Sequence, residues 1–190
     1  MSEPGAGSIR PFYADWAGYN RRIIDAVARM TSDDLALQAP GTEHWPIWAI
    51  CGHMAGTRVF WLCDVFGEAG IEQTPWPNGT LGPGWEDDLS VPRSAEELVW
   101  ALTSTWQVIE GLLGRWTPDS MDMTAQRNKA GRAPEIHTRQ SILLRMITHE
   151  GYHVGEINIA LGAAGREQID PWPGREWQAD APRSLREGGS

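Results

Sequence analysis

The chain has 190 residues, with 16 Lys and Arg against 25 Asp and Glu, a formal net charge of −9 and 41% hydrophobic residues. This length and balance suit one globular domain, which we expect to span residues 1–190. The acidic charge argues against nucleic acid or an anionic membrane as the main partner, because either would require a basic surface. The sequence has neither an apolar run long enough to span a membrane nor the apolar segment of a signal peptide. We therefore expect a cytoplasmic protein.

Two apolar helices are predicted in the first third of the chain. The first spans about residues 10–30, where apolar side chains recur every three or four residues: Phe12, Trp16, Tyr19, Ile23, Val27 and Met30. The second spans about residues 46–66 and begins at a proline. Because it is apolar nearly all round, it should be the most enclosed helix. Its Cys51 and Cys63 lie on different faces, so we expect free buried thiols.

A third helix is predicted at about residues 94–116. Ser94 and Glu97 have the spacing of a capping box, in which each side chain accepts a hydrogen bond from a backbone N–H at the helix start. Its inward positions should be Leu98, Leu102, Thr105, Ile109, Leu112 and Trp116. Since it offers no obvious metal ligand beyond Glu110, we expect this helix to act as scaffold.

The remaining segments are polar or rich in Gly and Pro. Residues 67–92 are expected to form an ordered loop over one end of the bundle, and residues 117–138 a second long connection without a strand pattern. A polar tail follows at residues 165–190. The sequence contains 11 tryptophans. Those of the helices should lie where helices face one another (Trp16, Trp48, Trp61, Trp100 and Trp106), and those of the loops and tail should pack on the bundle (Trp76, Trp85, Trp172 and Trp177).

The fourth predicted helix, at about residues 139–163, carries the main functional signal. His149 and His153 lie four residues apart, so their imidazoles would stack one turn apart beside the apolar stripe. A stable transition-metal site needs at least three protein ligands. His53 is the candidate for the third, because it interrupts a broad apolar face of the second helix. The alternative is that these are core histidines whose ring nitrogens are satisfied by hydrogen bonds.

Other side chains carry weaker signals. His137 lies about 120° round the helix from His149, so it is a poor candidate ligand. Glu156 lies about 20° from His149 on the same face and could orient an imidazole or transfer a proton. Its alternative is a solvated helix charge. Three arginines that could hold an anionic substrate are expected instead to be surface charges: Arg58, Arg139 and Arg145.

Four helices of about 20 residues, joined by one shorter and two long links, predict an all-α fold, a four-helix bundle with long second and third connections. The strings IWAICGHMAGTRVFWL and TRQSILLRMITHEGYHVGEI resemble the two signature stretches of the DinB superfamily, whose bundles are related to bacillithiol and mycothiol S-transferases. The resemblance in helix order and spacing covers about residues 10–164. It implies a divalent metal, commonly zinc or nickel, held by His53, His149 and His153. Tyr152 and Val154 depart from common members, which affects the substrate chemistry more than the metal.

The leading functional hypothesis is metal-assisted transfer of a low-molecular-weight thiol onto a small electrophile. Three imidazoles leave a coordination position open, and a thiol or water bound there would lose its proton near neutral pH. One alternative is a metal-dependent hydrolase that uses bound hydroxide. The other is a non-catalytic metal-binding stress or interaction protein.

The expected partner is a small-molecule substrate. A homodimer is a further expectation, since related bundles often pair, although the apolar second helix could equally be enclosed by its own bundle.

Overall fold

The computed structural model describes residues 7–41, 45–80, 88–128 and 130–172. Within these residues the elements are α1 (Ala14–Arg29), α2 (Ser32–Leu35), α3 (Ile47–Val59), α4 (Ala95–Arg115), β1 (Thr124–Arg127), β2 (Glu135–Thr138) and α5 (Arg139–Ala163). The α3 helix packs on α4 and α5, and α1 packs on α4. The expected all-α four-helix bundle is therefore confirmed, with a small two-stranded sheet added. In the described part of the chain, no helix combines the length and apolar character needed to cross a membrane.

The local sequence explains where the long helices begin. The Ser94 hydroxyl accepts from the Glu97 N–H at 3.3 Å, and the Ser94 N–H donates to the Glu97 carboxylate at 2.8 Å, which completes the predicted capping box of α4. Similarly, the Thr138 hydroxyl accepts from the Ser141 N–H at the start of α5. The first predicted helix divides into a 3-10 turn, Arg10–Tyr13, followed by α1.

The α3 helix is enclosed as expected. Its residues are buried except for His53, which is half-buried. The hydrogen bonding then changes to a π-helical turn, Phe60–Val65, which completes the predicted second helix. Cys51 and Cys63 are free and buried, and burial raises the pKa of both thiols to about 12. These thiols therefore remain protonated and unreactive at neutral pH.

The connection before α5 contains a hairpin that the sequence analysis did not predict. The β1 and β2 strands pair antiparallel, with Thr124 opposite Thr138 and Ala125 opposite His137. Each strand has four residues and none is buried, so the segment lacks the alternation that marks a half-buried strand. The hairpin places Arg127 against the aromatic rings of the π-helical turn.

Some aromatic side chains differ from the expected packing. Phe12, Trp100 and Trp172 are 77%, 50% and 71% exposed, so the inward or packed positions expected for them are wrong. Phe12 lies in the 3-10 turn, whose tighter period displaces it from the buried stripe of α1. Trp76 is buried, as expected for a loop anchor. Two further tryptophans of this kind lie outside the described residues: Trp85 and Trp177.

Candidate metal centre

Three imidazoles from two helices converge on one point. His53 lies in the middle of α3, whereas His149 and His153 lie one turn apart in the middle of α5. The Nε2 atom of His149 is 3.0 Å from Nε2 of His53 and 3.1 Å from Nε2 of His153. Two nitrogens bound at about 2.1 Å to one ion are separated by about 3.0–3.4 Å for angles between octahedral and tetrahedral. The three side chains that the sequence indicated therefore form a group that could hold a metal ion.

The protonation state of this group also suits a metal. Burial, supported by the neighbouring His153 and His53, lowers the pKa of His149 to about 3. Burial also lowers the pKa of His153, although the Glu156 carboxylate opposes this effect. Metal ions bind neutral imidazole. The rings of His149 and His153 are thus in the form that coordinates a cation.

Neighbouring side chains orient the imidazoles. His153 with its proton on Nδ1 donates to Glu156 Oε2 at 3.0 Å, which leaves its Nε2 lone pair directed toward His149. The Glu156 side chain is only 15% exposed, so the alternative of a solvated helix charge does not describe its environment. The Trp45 ring packs edge-on against His53, with the ring centres 5.3 Å apart.

A buried polar network lies next to the histidines. Arg58 Nε donates to Glu150 Oε1 at 2.8 Å, and both side chains are 1% exposed. Arg58 also donates to Asn20 Oδ1 at 2.7 Å and to the Leu102 carbonyl at 3.0 Å. Trp16 Nε1 donates to the other carboxylate oxygen at 2.9 Å. The expectation that Arg58 is a surface charge is therefore wrong, because its guanidinium links all four helices of the bundle.

Glu150 is the site residue that the sequence analysis missed. It lies four residues after Met146 and four before Val154, in the middle of the buried row of α5. A carboxylate at that position requires a partner. Arg58, inside the apolar α3, has the complementary requirement. Each is a single charged residue in a row of apolar ones, and this shared feature was the sequence signal that could have suggested an ion pair between them.

The other residues considered from sequence lie outside the histidine group. His137 packs against Trp61 with ring centres 4.7 Å apart, and its Nε2 lies 3.5 Å from Glu135 Oε2. Within the described residues, the potential ligand group does not include His137. Arg145 is exposed, as expected for a surface charge, whereas Arg139 is half-buried.

Comparison with known proteins identifies the family. The family model of the DinB superfamily matches residues 19–157. The chain belongs to the DinB superfamily. A crystal structure of a DinB-like protein from Bacillus cereus ATCC 10987 resembles it with a TM-score of 0.62 at 18% identity, covering 87% of this chain and 98% of that chain. At this identity the likeness shows the fold alone. A search of curated proteins gave no match.

Open space in this DinB-superfamily bundle also occurs away from the histidines. A groove of about 970 Å³ lies between α1 and α5, with apolar and aromatic walls. Its lining includes Tyr13, Trp16, Tyr19, Gly151 and Val154. None of the three histidines lines this groove, because their Nε2 atoms meet between α3 and α5 instead.

Proposed function

We propose that the chain binds one divalent metal ion through His53, His149 and His153, and transfers a low-molecular-weight thiol to a small electrophile. The observation that carries this proposal is the approach of three imidazole nitrogens from two helices to within 4.8 Å of one another, with Nε2 of His149 3.0 Å and 3.1 Å from those of His53 and His153. Three imidazoles leave at least one coordination position for a thiol. Zinc or nickel is the proposed metal, because imidazole suits both and the family resemblance implies them.

Thiol activation is the chemistry that a divalent ion supplies at such a site, since a coordinated thiol loses its proton near neutral pH. In the net reaction the S–H bond breaks and its proton passes to solvent. The sulfur forms a bond to the electrophilic carbon, and the leaving group departs with its bonding electron pair. The protein residues supply geometry: Glu156 orients His153, and the Arg58–Glu150 pair joins α3 to α5 beside the rings.

Metal content tests the first half of this proposal. Wild type incubated with zinc and dialysed is expected to retain one ion per chain by elemental analysis. His53→Ala, His149→Ala and His153→Ala should each lose this stoichiometric metal, because two imidazoles do not form a stable site. His137→Ala is the matched control and should retain the ion, and circular dichroism checks that each variant folds. Full zinc content in a folded His53→Ala protein would contradict the three-ligand site.

Turnover tests the second half. Zinc-loaded and nickel-loaded proteins are assayed with 1-chloro-2,4-dinitrobenzene or monochlorobimane as electrophile, and with bacillithiol, mycothiol or cysteine as thiol. We expect thioether formation and chloride release that require both the thiol and His153. Chloride release without added thiol would instead indicate the hydrolase alternative. Stoichiometric metal without either reaction across the panel would favour the non-catalytic alternative.

A further inference from the structure

We propose that Arg145 and Arg127 form an anion site beside the three histidines, and that this site selects thiol co-substrates carrying a carboxylate. The selection of thiols rests on the function proposed above. The anion site itself rests only on the placement of the two arginines.

Arg145 lies on the same face of α5 as the metal-ligand candidates. It precedes His149 by four residues, which corresponds to one turn, about 6 Å along the axis and about 40° round it. A small molecule whose sulfur lies at the histidines could therefore place its other end at Arg145.

Two guanidinium groups pack against the same aromatic ring, that of Trp61, which we call the aromatic platform. The guanidinium carbons of Arg145 and Arg127 lie 4.9 Å and 5.1 Å from the centre of the Trp61 ring, and that of Arg127 lies 4.9 Å from the Phe60 ring. Cation–π contact restrains the arginine side chains. The N–H groups of a guanidinium packed on a ring can still bind a carboxylate at the edge of its plane. The site thus combines β1, the π-helical turn after α3, and α5.

The charges around the platform favour an anionic ligand. Glu135 Oε2 lies 3.7 Å from Arg127 and is shared with His137, at 3.5 Å, so it offsets part of the positive charge. In the described parts of the chain, Arg145 forms no ion pair with a carboxylate, and its side chain is exposed to solvent. Two cations therefore lie on one platform in a chain whose net charge is −9. A bound carboxylate would offset the positive charge on this platform.

The histidine group, once it holds a divalent ion, also favours an anionic ligand. Three neutral imidazoles leave the charge of a divalent ion uncompensated, and the nearby Glu150 carboxylate is already paired with Arg58. A thiol that carries a carboxylate brings two negative charges once its sulfur is deprotonated. The thiolate would bind the divalent ion, and the carboxylate would bind the two arginines.

Two thiols that differ in one group provide the first test. The probes are 3-mercaptopropionate, which has a carboxylate, and 2-mercaptoethanol, which does not. Binding to the cobalt(II)-loaded full-length protein is followed by thiolate-to-cobalt absorption. We expect wild type to prefer 3-mercaptopropionate by about tenfold, the size of a charge-assisted hydrogen-bond contribution. Arg145→Gln and Arg127→Gln should each reduce this preference without changing the affinity for 2-mercaptoethanol.

A matched control separates the site from general charge. Arg166→Gln removes the same charge beyond the far end of α5, where Arg166 pairs with Asp34, and should keep the full preference. Arg145→Lys should keep part of it, because a lysine retains the charge without the forked geometry. A preference that survives both Arg145→Gln and Arg127→Gln, or no preference in wild type, would overturn the anion site as a selector of thiols.

An experiment on the metal-free protein tests the anion site independently of the thiol. Titration with succinate is followed by the arginine Nε–H signals in proton–nitrogen NMR spectra, and we expect the signals of Arg145 and Arg127 to shift together while that of Arg166 stays in place. If these signals shift but neither thiol produces cobalt absorption, the anion site stands and the thiol function fails. If thiols bind cobalt without preference and the signals do not shift, the anion site fails and the thiol function stands.

Discussion

The Arg58 guanidinium and the Glu150 carboxylate form an ion pair inside the bundle, with Nε 2.8 Å from Oε1. Removing two charges from water is costly, and the mutual attraction compensates only when the other polar atoms also have partners. Here Asn20 and Trp16 supply two of those partners, both from α1. The pair joins α3 to α5, the two helices whose spacing sets the distance between the candidate metal ligands.

Breaking this pair should strongly destabilise the fold. Glu150→Ala leaves Arg58 buried without its counter-charge and Trp16 without its acceptor, so we expect a loss of about 3–5 kcal/mol in the free energy of unfolding. Arg58→Met combined with Glu150→Leu should recover part of that loss, because apolar replacements remove both buried charges but leave Trp16 and Asn20 without their hydrogen-bond partners. Urea denaturation of the single and double variants measures the coupling.

Glu110→Ala provides the control for this series, since Glu110 is an exposed carboxylate on α4. It should change the free energy of unfolding by no more than about 0.5 kcal/mol. A comparably small effect of Glu150→Ala would show that the ion pair does not stabilise the bundle.

The helices were predictable because their signals are local. Residues 139–163 are helical as predicted, and α4 starts beside Ser94, the predicted capping residue. Apolar spacing and a capping box are both contained within a few neighbouring residues. The histidine group could also be predicted from the sequence, because His53 interrupts an apolar face and the other two rings have helical spacing.

The unpredicted features depend on contacts between distant segments. Arg127 lies on a strand whose polar sequence has no recognisable period, and its position against Trp61 follows only from the hairpin. Likewise, Glu150 and Arg58 are 92 residues apart: the apolar neighbours of each indicate that it needs a partner, but only the packed bundle shows which one. Long-range pairing of this kind leaves little trace in local sequence patterns.

Removing the Glu156 carboxylate should weaken metal binding without changing the fold. Glu156→Gln retains the shape of the side chain but replaces the charged acceptor of the His153 Nδ1–H. Partners of this type typically contribute about 10–100-fold to metal affinity, so we expect a loss in that range. Competition of the zinc-loaded protein with a chromogenic chelator measures it. Glu110→Gln, on α4, is the control and should bind zinc as wild type does. Equal zinc affinity in the two variants would assign Glu156 no role at the site.

Replacing Tyr19 by Phe should leave the stability unchanged or increase it. Among the described residues, the Tyr19 hydroxyl is buried without a hydrogen-bond partner. Burial, followed by the Glu150 charge, raises the pKa of Tyr19 to about 12, so the hydroxyl is neutral at ordinary pH. An unsatisfied buried polar group costs about 1–3 kcal/mol, and Tyr19→Phe removes that cost. Urea denaturation checks this, and a loss above about 1 kcal/mol would indicate an additional partner for the hydroxyl.

The capping box of α4 should make stability depend on acidity. The Ser94 backbone N–H, with further help from the Ser94 hydroxyl and Arg93, lowers the pKa of Glu97 below the ordinary value of a glutamate. A carboxyl whose pKa is lower in the folded state stabilises the protein above its unfolded pKa, and this contribution disappears as pH falls through the folded value. Glu97→Gln should therefore lower the urea midpoint at about pH 7 and have a smaller effect at about pH 3.

Glu96→Gln is the matched control for that experiment, because Glu96 lies in the same first turn but outside the capping box. Both substitutions remove one negative charge near the positive end of the helix dipole. The additional loss in Glu97→Gln at about pH 7 therefore reports the hydrogen bonds to Ser94. Equal effects of the two variants at that pH, or a difference that is as large at about pH 3 as at about pH 7, would contradict a role for the ionised capping box.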